Sequence, residues 1–322
     1  MPVLEVDGLK TYYKTLRGDV KAVDDVSFKV EKGEALGIAG ESGCGKTTLA
    51  LSILRLLPSG GKIVGGRVVF DGTSLGDLTD NELRKQVRWK GISLVFQGAM
   101  NALNPVFKVG DQIVEAIRLH EPDVSKGDAW ERTRGLFELV GIEPERSTNY
   151  PHEFSGGMKQ RALIAMALAL SPKLLIADEP GTALDVIVQA QVLKLMRELK
   201  EKLDLSMILI SHDLSILAET CDKLAVMYGG KIVEYGSVFE VFKQPSHPYT
   251  QGLLGAFPKV TGPRTKLSSV PGSPPDLLDP PVGCRFNPRC PFVMDVCKKE
   301  EPLLQKVGSE EHEAACWLYP KK

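Results

Sequence analysis

The 322-residue chain lacks a charge surplus, with 40 Lys+Arg against 41 Asp+Glu. Dedicated nucleic-acid binders draw their affinity from a basic excess, so no nucleic-acid partner is expected. It also lacks a long apolar run. The longest, Ala162–Leu170, falls well short of the roughly 18 residues needed to span a bilayer. The opening Met-Pro-Val-Leu-Glu-Val-Asp places no basic stretch before an apolar one, so a secretory signal is not expected. Cysteine is nearly absent from the first 240 residues, which hold only Cys44 and Cys221. That scarcity suits a reducing cytosol without disulfides. Wholesale disorder is excluded, because 43% hydrophobic residues can build packed cores. The length allows roughly two domains of about 150 residues each.

What is present is unevenly distributed. Cys284, Cys290, Cys297 and Cys316 fall in the last 39 residues, and 11 of the 21 prolines lie between Pro258 and Pro320. Before that point, short apolar runs (Ala35–Ala39, Ile92–Phe96, Leu174–Ala177, Met207–Ile210) alternate with helical patterns (Thr48–Leu57, Met158–Leu170, Val188–Leu203). Such alternation predicts an α/β core with a largely parallel sheet. Val3–Val6, Asp25–Val30 and Gly66–Phe70 alternate and are punctuated by glycine, so they predict an antiparallel β layer. A helical subdomain is expected over about residues 100–170, around Trp130–Val140. Pro271–Pro281 reads as extended.

Gly40-Glu-Ser-Gly-Cys-Gly-Lys-Thr47 fits the phosphate-loop pattern, between an apolar strand and a helix-forming segment. Glycines let successive backbone N–H groups converge on phosphate, and the helix N-terminus adds its positive dipole end. The nucleotide-binding residues expected here are Gly40, Glu41, Ser42, Gly43, Cys44, Gly45, Lys46, Thr47 and Thr48. Lys46 is assigned to the β- and γ-phosphates and the Thr47 hydroxyl to Mg²⁺. Cys44 reads as a spacer, with a reactive thiol as the alternative.

Leu174-Leu-Ile-Ala-Asp178-Glu179 is an apolar strand ending in two carboxylates. Asp178 is placed to hold Mg²⁺, and Glu179 to polarise the attacking water, because phosphoryl transfer needs mainly positioning and charge neutralisation. His212 follows the run Met207–Ile210, at the strand edge where α/β sites assemble, and reads as a γ-phosphate sensor. Gln97 closes the run Ile92–Phe96 and is assigned to the metal or the water.

Phe154-Ser-Gly-Gly-Met-Lys-Gln-Arg161 places Ser155 23 residues before Asp178. It resembles the signature motif of ATP-binding-cassette (ABC) ATPases. The resemblance implies a P-loop NTPase cassette, in which Ser155, Gly156 and Gly157 of one subunit contact the γ-phosphate of ATP held by another. It makes Gln97 the Q-loop residue, Asp185 the D-loop aspartate, His212 the switch histidine and Tyr13 the adenine-stacking aromatic, with Tyr12 as the alternative. Met158 and Gly181 depart from the commonest family residues. The cassette is expected over residues 1–243, and 244–322 form a C-terminal extension rich in Pro and Cys.

Pro245–Pro258 and Gly283–Pro291 resemble the extension of oligopeptide/dipeptide ABC importer ATPases. That likeness implies an ATPase at the cytoplasmic face of the membrane, energising peptide import. Its implied partners are a second, related cassette, two permease subunits and, indirectly, an extracytoplasmic binding protein. Nickel chelates or oligosaccharides are alternative cargoes, and a soluble ATPase of repair or regulation is the rival class. Four cysteines in a short, Pro-rich segment invite a metal. Zinc sites usually show a tight C-x2–4-C pair, which is absent. Cys290 precedes Pro291, as at some iron–sulfur ligands, and some members of the resembled family bind [4Fe–4S] through this pattern. A structural [4Fe–4S] staple is therefore expected, with zinc or four reduced thiols as alternatives.

Overall fold

The computed structural model describes residues 1–96, 98, 102–182, 184–255, 270–309 and 311–319. The chain divides into two compact units built from interleaved segments. One comprises Met1, Glu31–Glu34 and Leu75–Leu209; the other comprises Pro2–Val30, Ala35–Ser74 and Ile210–Lys322.

The second unit opens with β1 (Pro2–Thr15), β2 (Gly18–Glu31), β3 (Ala35–Ala39), α1 (Lys46–Ile53), β4 (Gly61–Phe70) and β5 (Thr73–Ser74). Four of these strands form an antiparallel sheet in the order β2-β1-β4-β5. Leu4 faces Phe70 and Val6 faces Val68 across β1 and β4, and all four are buried. The period-2 alternation of one apolar face drives this layer. The predicted strands were shorter, because Lys, Tyr and Gly dilute the alternation toward the strand ends.

In the first unit, α2 (Asp80–Glu82) and β6 (Ile92–Val95) lead into α3 (Val109–His120), α4 (Lys126–Leu139) and α5 (Gly156–Ala167). Then come β7 (Leu174–Asp178), α6 (Val186–Leu203) and β8 (Ser206–Ser211), whose residues through Leu209 belong to this unit. β6 and β7 pair in parallel. Every residue of β7 is buried, as expected for a strand covered on both faces. α6 buries Val192, Leu195, Met196 and Leu199, an i, i+3, i+4, i+7 stripe.

The second unit resumes with α7 (Leu214–Thr220), β9 (Lys223–Tyr228), β10 (Lys231–Ser237), α8 (Val238–Lys243), α9 (Pro248–Gly255), β11 (Gln305–Lys306) and β12 (Glu313–Ala314). β3 runs parallel to β9, β9 antiparallel to β10, and β12 antiparallel to both β10 and β11. The C-terminal segment therefore extends a core sheet. Its 271–281 stretch carries no helix or strand. Among the described residues no helix is long and apolar enough to cross a membrane.

Candidate active site

The phosphate loop leaves β3 and enters α1. Gly40 and Gly45 adopt φ of +150° and +107°. A Cβ at Gly40 would lie 2.3 Å from the Met227 carbonyl oxygen, and one at Gly45 2.1 Å from that of Ala22. Only glycine permits both the left-handed backbone and these approaches. Ser42, Gly43 and Thr47 are exposed on the open side of the loop. Lys46 is 6% exposed, and its ammonium donates to the carbonyls of Gly40 (2.7 Å) and Glu41 (3.0 Å). Cys44 is buried, and burial pushes its thiol pKa up despite nearby Lys46. That favours the spacer reading over a reactive thiol.

The two tyrosines separate. Tyr13 places its hydroxyl 3.4 Å from that of Thr48, in the first turn of α1. Tyr12 donates to Asp24 at 2.7 Å and is committed to a polar cluster with Arg285. Neighbouring residues of a strand face opposite sides, and only Tyr13 borders the phosphate-loop helix. His212 is exposed between β8 and α7, and the Ser211 and Asp213 side chains cap that junction. Gln97 lies outside the described residues.

In the first unit, Asp178 ends β7 and is 2% exposed. Glu179 follows at φ +48°, strained for a residue with a Cβ. Its carboxylate accepts the Thr182 hydroxyl at 2.9 Å and its carbonyl the Thr182 N–H at 3.1 Å, so the strained turn is tied from both ends. Ser155 is the N-cap of α5, accepting the Met158 N–H at 3.3 Å. Gly156 and Gly157 form the first turn of that helix, a polarity suited to phosphate. A Cβ at Gly157 would meet Val188 at 2.5 Å. Asp185 is the N-cap of α6, accepting from Ile187 and Val188 N–H groups. Gly181 leaves the space that the Gln189 side chain fills, since a Cβ there would lie 2.5 Å from it.

Residues 23–182 match the family described as ABC transporter, and residues 233–297 match that described as oligopeptide/dipeptide transporter, C-terminal region. The dipeptide transport ATP-binding protein DppD of Bacillus subtilis is 47% identical over 323 residues, 99% of this chain and 96% of the relative. The chain belongs to the ABC transporter ATP-binding family. A probable peptide ABC transporter ATP-binding protein of Sinorhizobium fredii is 48% identical over 98% of this chain and 94% of its own. Among solved cassettes, a dimeric post-hydrolysis state of MJ0796 bound to ADP and Pi superposes with TM-score 0.65 at 26% identity. It covers 73% of this chain and 98% of its own. CbiO1 of Clostridium perfringens gives TM-score 0.66 at 28% identity, over 76% and 91% of the two chains. As an ABC ATPase the chain uses ATP and Mg²⁺. The exposed Thr47 hydroxyl in the first turn of α1 is a hard oxygen donor of the kind that ion takes.

The metal expected in the C-terminal segment is not supported. Cys284, Cys290, Cys297 and Cys316 line one small cavity. Yet among the described residues no group of three or more His, Cys, Asp or Glu could hold a metal ion. Neither [4Fe–4S] nor zinc is therefore supported. Burial pushes the Cys284 thiol pKa up to about 12 and raises those of Cys290 and Cys316. The segment is held by other means, which composition hid. Tyr228, Tyr249, Phe286 and His247 pack ring against ring. The buried Glu234 carboxylate accepts the N–H groups of Ser246 (2.7 Å) and His247 (2.9 Å) and the His312 imidazole (2.8 Å). His312 is thus engaged with Glu234.

Proposed function

We propose that this ABC ATPase energises the import of di- or oligopeptides. Full-length similarity to DppD-type proteins together with the C-terminal match carries the reading. No observation favours nickel chelates, oligosaccharides or a non-transport role. The proposed assembly is a second, related cassette, two permease subunits and an extracytoplasmic binding protein, with this chain at the cytoplasmic face. The proposed domains are residues 1–243, with a helical subdomain at about 100–170, and 244–322.

The proposed roles follow from chemistry. Gly43, Cys44, Gly45 and Lys46 present backbone N–H groups to phosphate, and the Lys46 ammonium exchanges its carbonyl partners for phosphate oxygens. Thr47, Asp178 and Gln97 would hold Mg²⁺, which neutralises charge on the phosphates. Glu179 accepts a hydrogen bond from the attacking water and His212 donates to the γ-phosphate. Ser155, Gly156, Gly157 and Asp185 serve the nucleotide of the opposing cassette.

Glu179→Gln should bind ATP normally and lose turnover. Measured in proteoliposomes with permeases and binding protein, retained hydrolysis would remove Glu179 from its role. Peptide uptake by the wild-type assembly, and none by the variant, tests the cargo class. The [4Fe–4S] reading now rests on cysteine spacing and the shared cavity alone. Anaerobic purification with iron and sulfide analysis decides it, and colourless, iron-free protein rejects it.

A further inference from the structure

Glu41 is the second residue of the phosphate loop, and its partners come from the far end of the chain. Its carboxylate takes both arms of the Arg289 guanidinium, Nη1 to Oε2 at 2.6 Å and Nη2 to Oε1 at 3.0 Å. Its backbone N–H donates to the Tyr249 hydroxyl at 2.9 Å. Its carbonyl accepts the Lys46 ammonium. One residue therefore joins the C-terminal segment to the phosphate-binding lysine, within a single compact unit.

Both partners are themselves fixed. Arg289 donates through Nε to the Pro271 carbonyl at 2.7 Å and through Nη2 to that of Val270 at 3.2 Å. Its guanidinium carbon lies 5.7 Å from the centroid of the Tyr228 ring. The Arg289 side chain is 5% exposed, against 26% for Glu41. Tyr249 is fully buried between Tyr228 and Phe286. An exposed ion pair contributes little and fixes nothing. A buried fork that meets both carboxylate oxygens sets direction as well as position.

We propose that Arg289 and Tyr249 are positioning residues for nucleotide binding: through Glu41 the C-terminal segment holds the entry of the phosphate loop in the geometry that ATP requires. Part of the ordering cost of binding is thereby met in the folded protein, which raises affinity without any contact to ATP. Coupling of this kind is reciprocal, so ATP stabilises the docked segment by the same factor. The proposal rests on the phosphate loop holding ATP, and the test separates the two.

A fluorescent ATP analogue is titrated into the full chain carrying Lys46→Ala, Tyr249→Phe, Arg289→Lys, Arg289→Gln, or Glu41→Gln with and without Arg289→Gln. Tyr249→Phe removes one hydroxyl and keeps the packed ring; it should weaken binding roughly three- to tenfold. Arg289→Gln should cost more and Arg289→Lys less. The Glu41→Gln/Arg289→Gln double variant should be no weaker than the worse single, since each acts through the other. Wild-type affinity in Lys46→Ala would overturn the phosphate-loop reading itself. Loss in Lys46→Ala with wild-type affinity in Tyr249→Phe and Arg289→Gln would overturn the positioning role alone. Hydrogen exchange on the unmutated chain is independent of variant folding. ATP should slow exchange across 270–290, and unchanged exchange there would also overturn the proposal.

Discussion

Acid should loosen the C-terminal segment through one imidazole. His247 is fully buried among Tyr249, Phe286 and the Glu234 carboxylate. Its Nδ1 accepts the Tyr249 N–H at 3.1 Å, a role open only to the neutral ring. Burial lowers its pKa from 6.5 to about 4, and nearby Glu234 offsets only part of that. The sign follows from proton counting. Between those values the unfolded chain binds a proton that the folded chain does not, so stability falls as pH drops through that window. The gap between 6.5 and about 4 caps the loss at about 3 kcal/mol. Going from about pH 7 to about pH 5 realises about 2 kcal/mol of it. That corresponds to a melting-point drop of roughly 4–8 °C for a unit of this size. The assay is thermal melting of the full chain and of His247→Gln at both pH values. The variant should start less stable but lose less on acidification, by about that margin. Equal acid-induced drops in the two proteins would refute the reasoning, as would an NMR titration placing the His247 pKa near its ordinary value.

Two further outcomes follow from the second unit. Gly45→Ala should fold yet lose ATP affinity by roughly tenfold or more, because its Cβ would sit 2.1 Å from the Ala22 carbonyl oxygen in a backbone region costly to alanine; wild-type affinity in an equilibrium titration would contradict this. Arg285 donates to Asp24 and to the Gly229 carbonyl with its side chain 6% exposed. Arg285→Met should therefore destabilise by about 2–4 kcal/mol, leaving the Asp24 carboxylate with the weaker support of Tyr12 and Lys231 in partial desolvation; a change under about 1 kcal/mol in urea unfolding would contradict that.

Much of the core was legible because its signals are local. A fully apolar five-residue run before a glycine loop dictates β3 and the turn into α1 without help from the rest of the chain. The apolar stripe of α6 and its Asp185 cap are equally local. Other elements were not legible for physical reasons. β10 was missed because Glu234 and Gly236 interrupt its pattern, and pairing with β9 and β12 decides it; β9, with the unbroken apolar run Leu224–Met227, was legible and was overlooked. Tyr12 and Tyr13 were interchangeable as letters, and strand facing separated them. The cysteine spacing suggested a metal staple, which the structure does not support; the contacts it does show are aromatic packing and hydrogen bonds to the Glu234 carboxylate. No period or motif encodes that arrangement.

The sequence alone determined which chemical groups the chain offers, since loop glycines, a lysine and strand-end carboxylates are read from their types and short spacing. Only tertiary structure decided how the phosphate loop is supported. Glu41 and Arg289 lie 248 positions apart, and an ion pair across that separation leaves no local trace. It exists because β12 and the aromatic cluster bring the C-terminal segment back onto the unit that holds the loop.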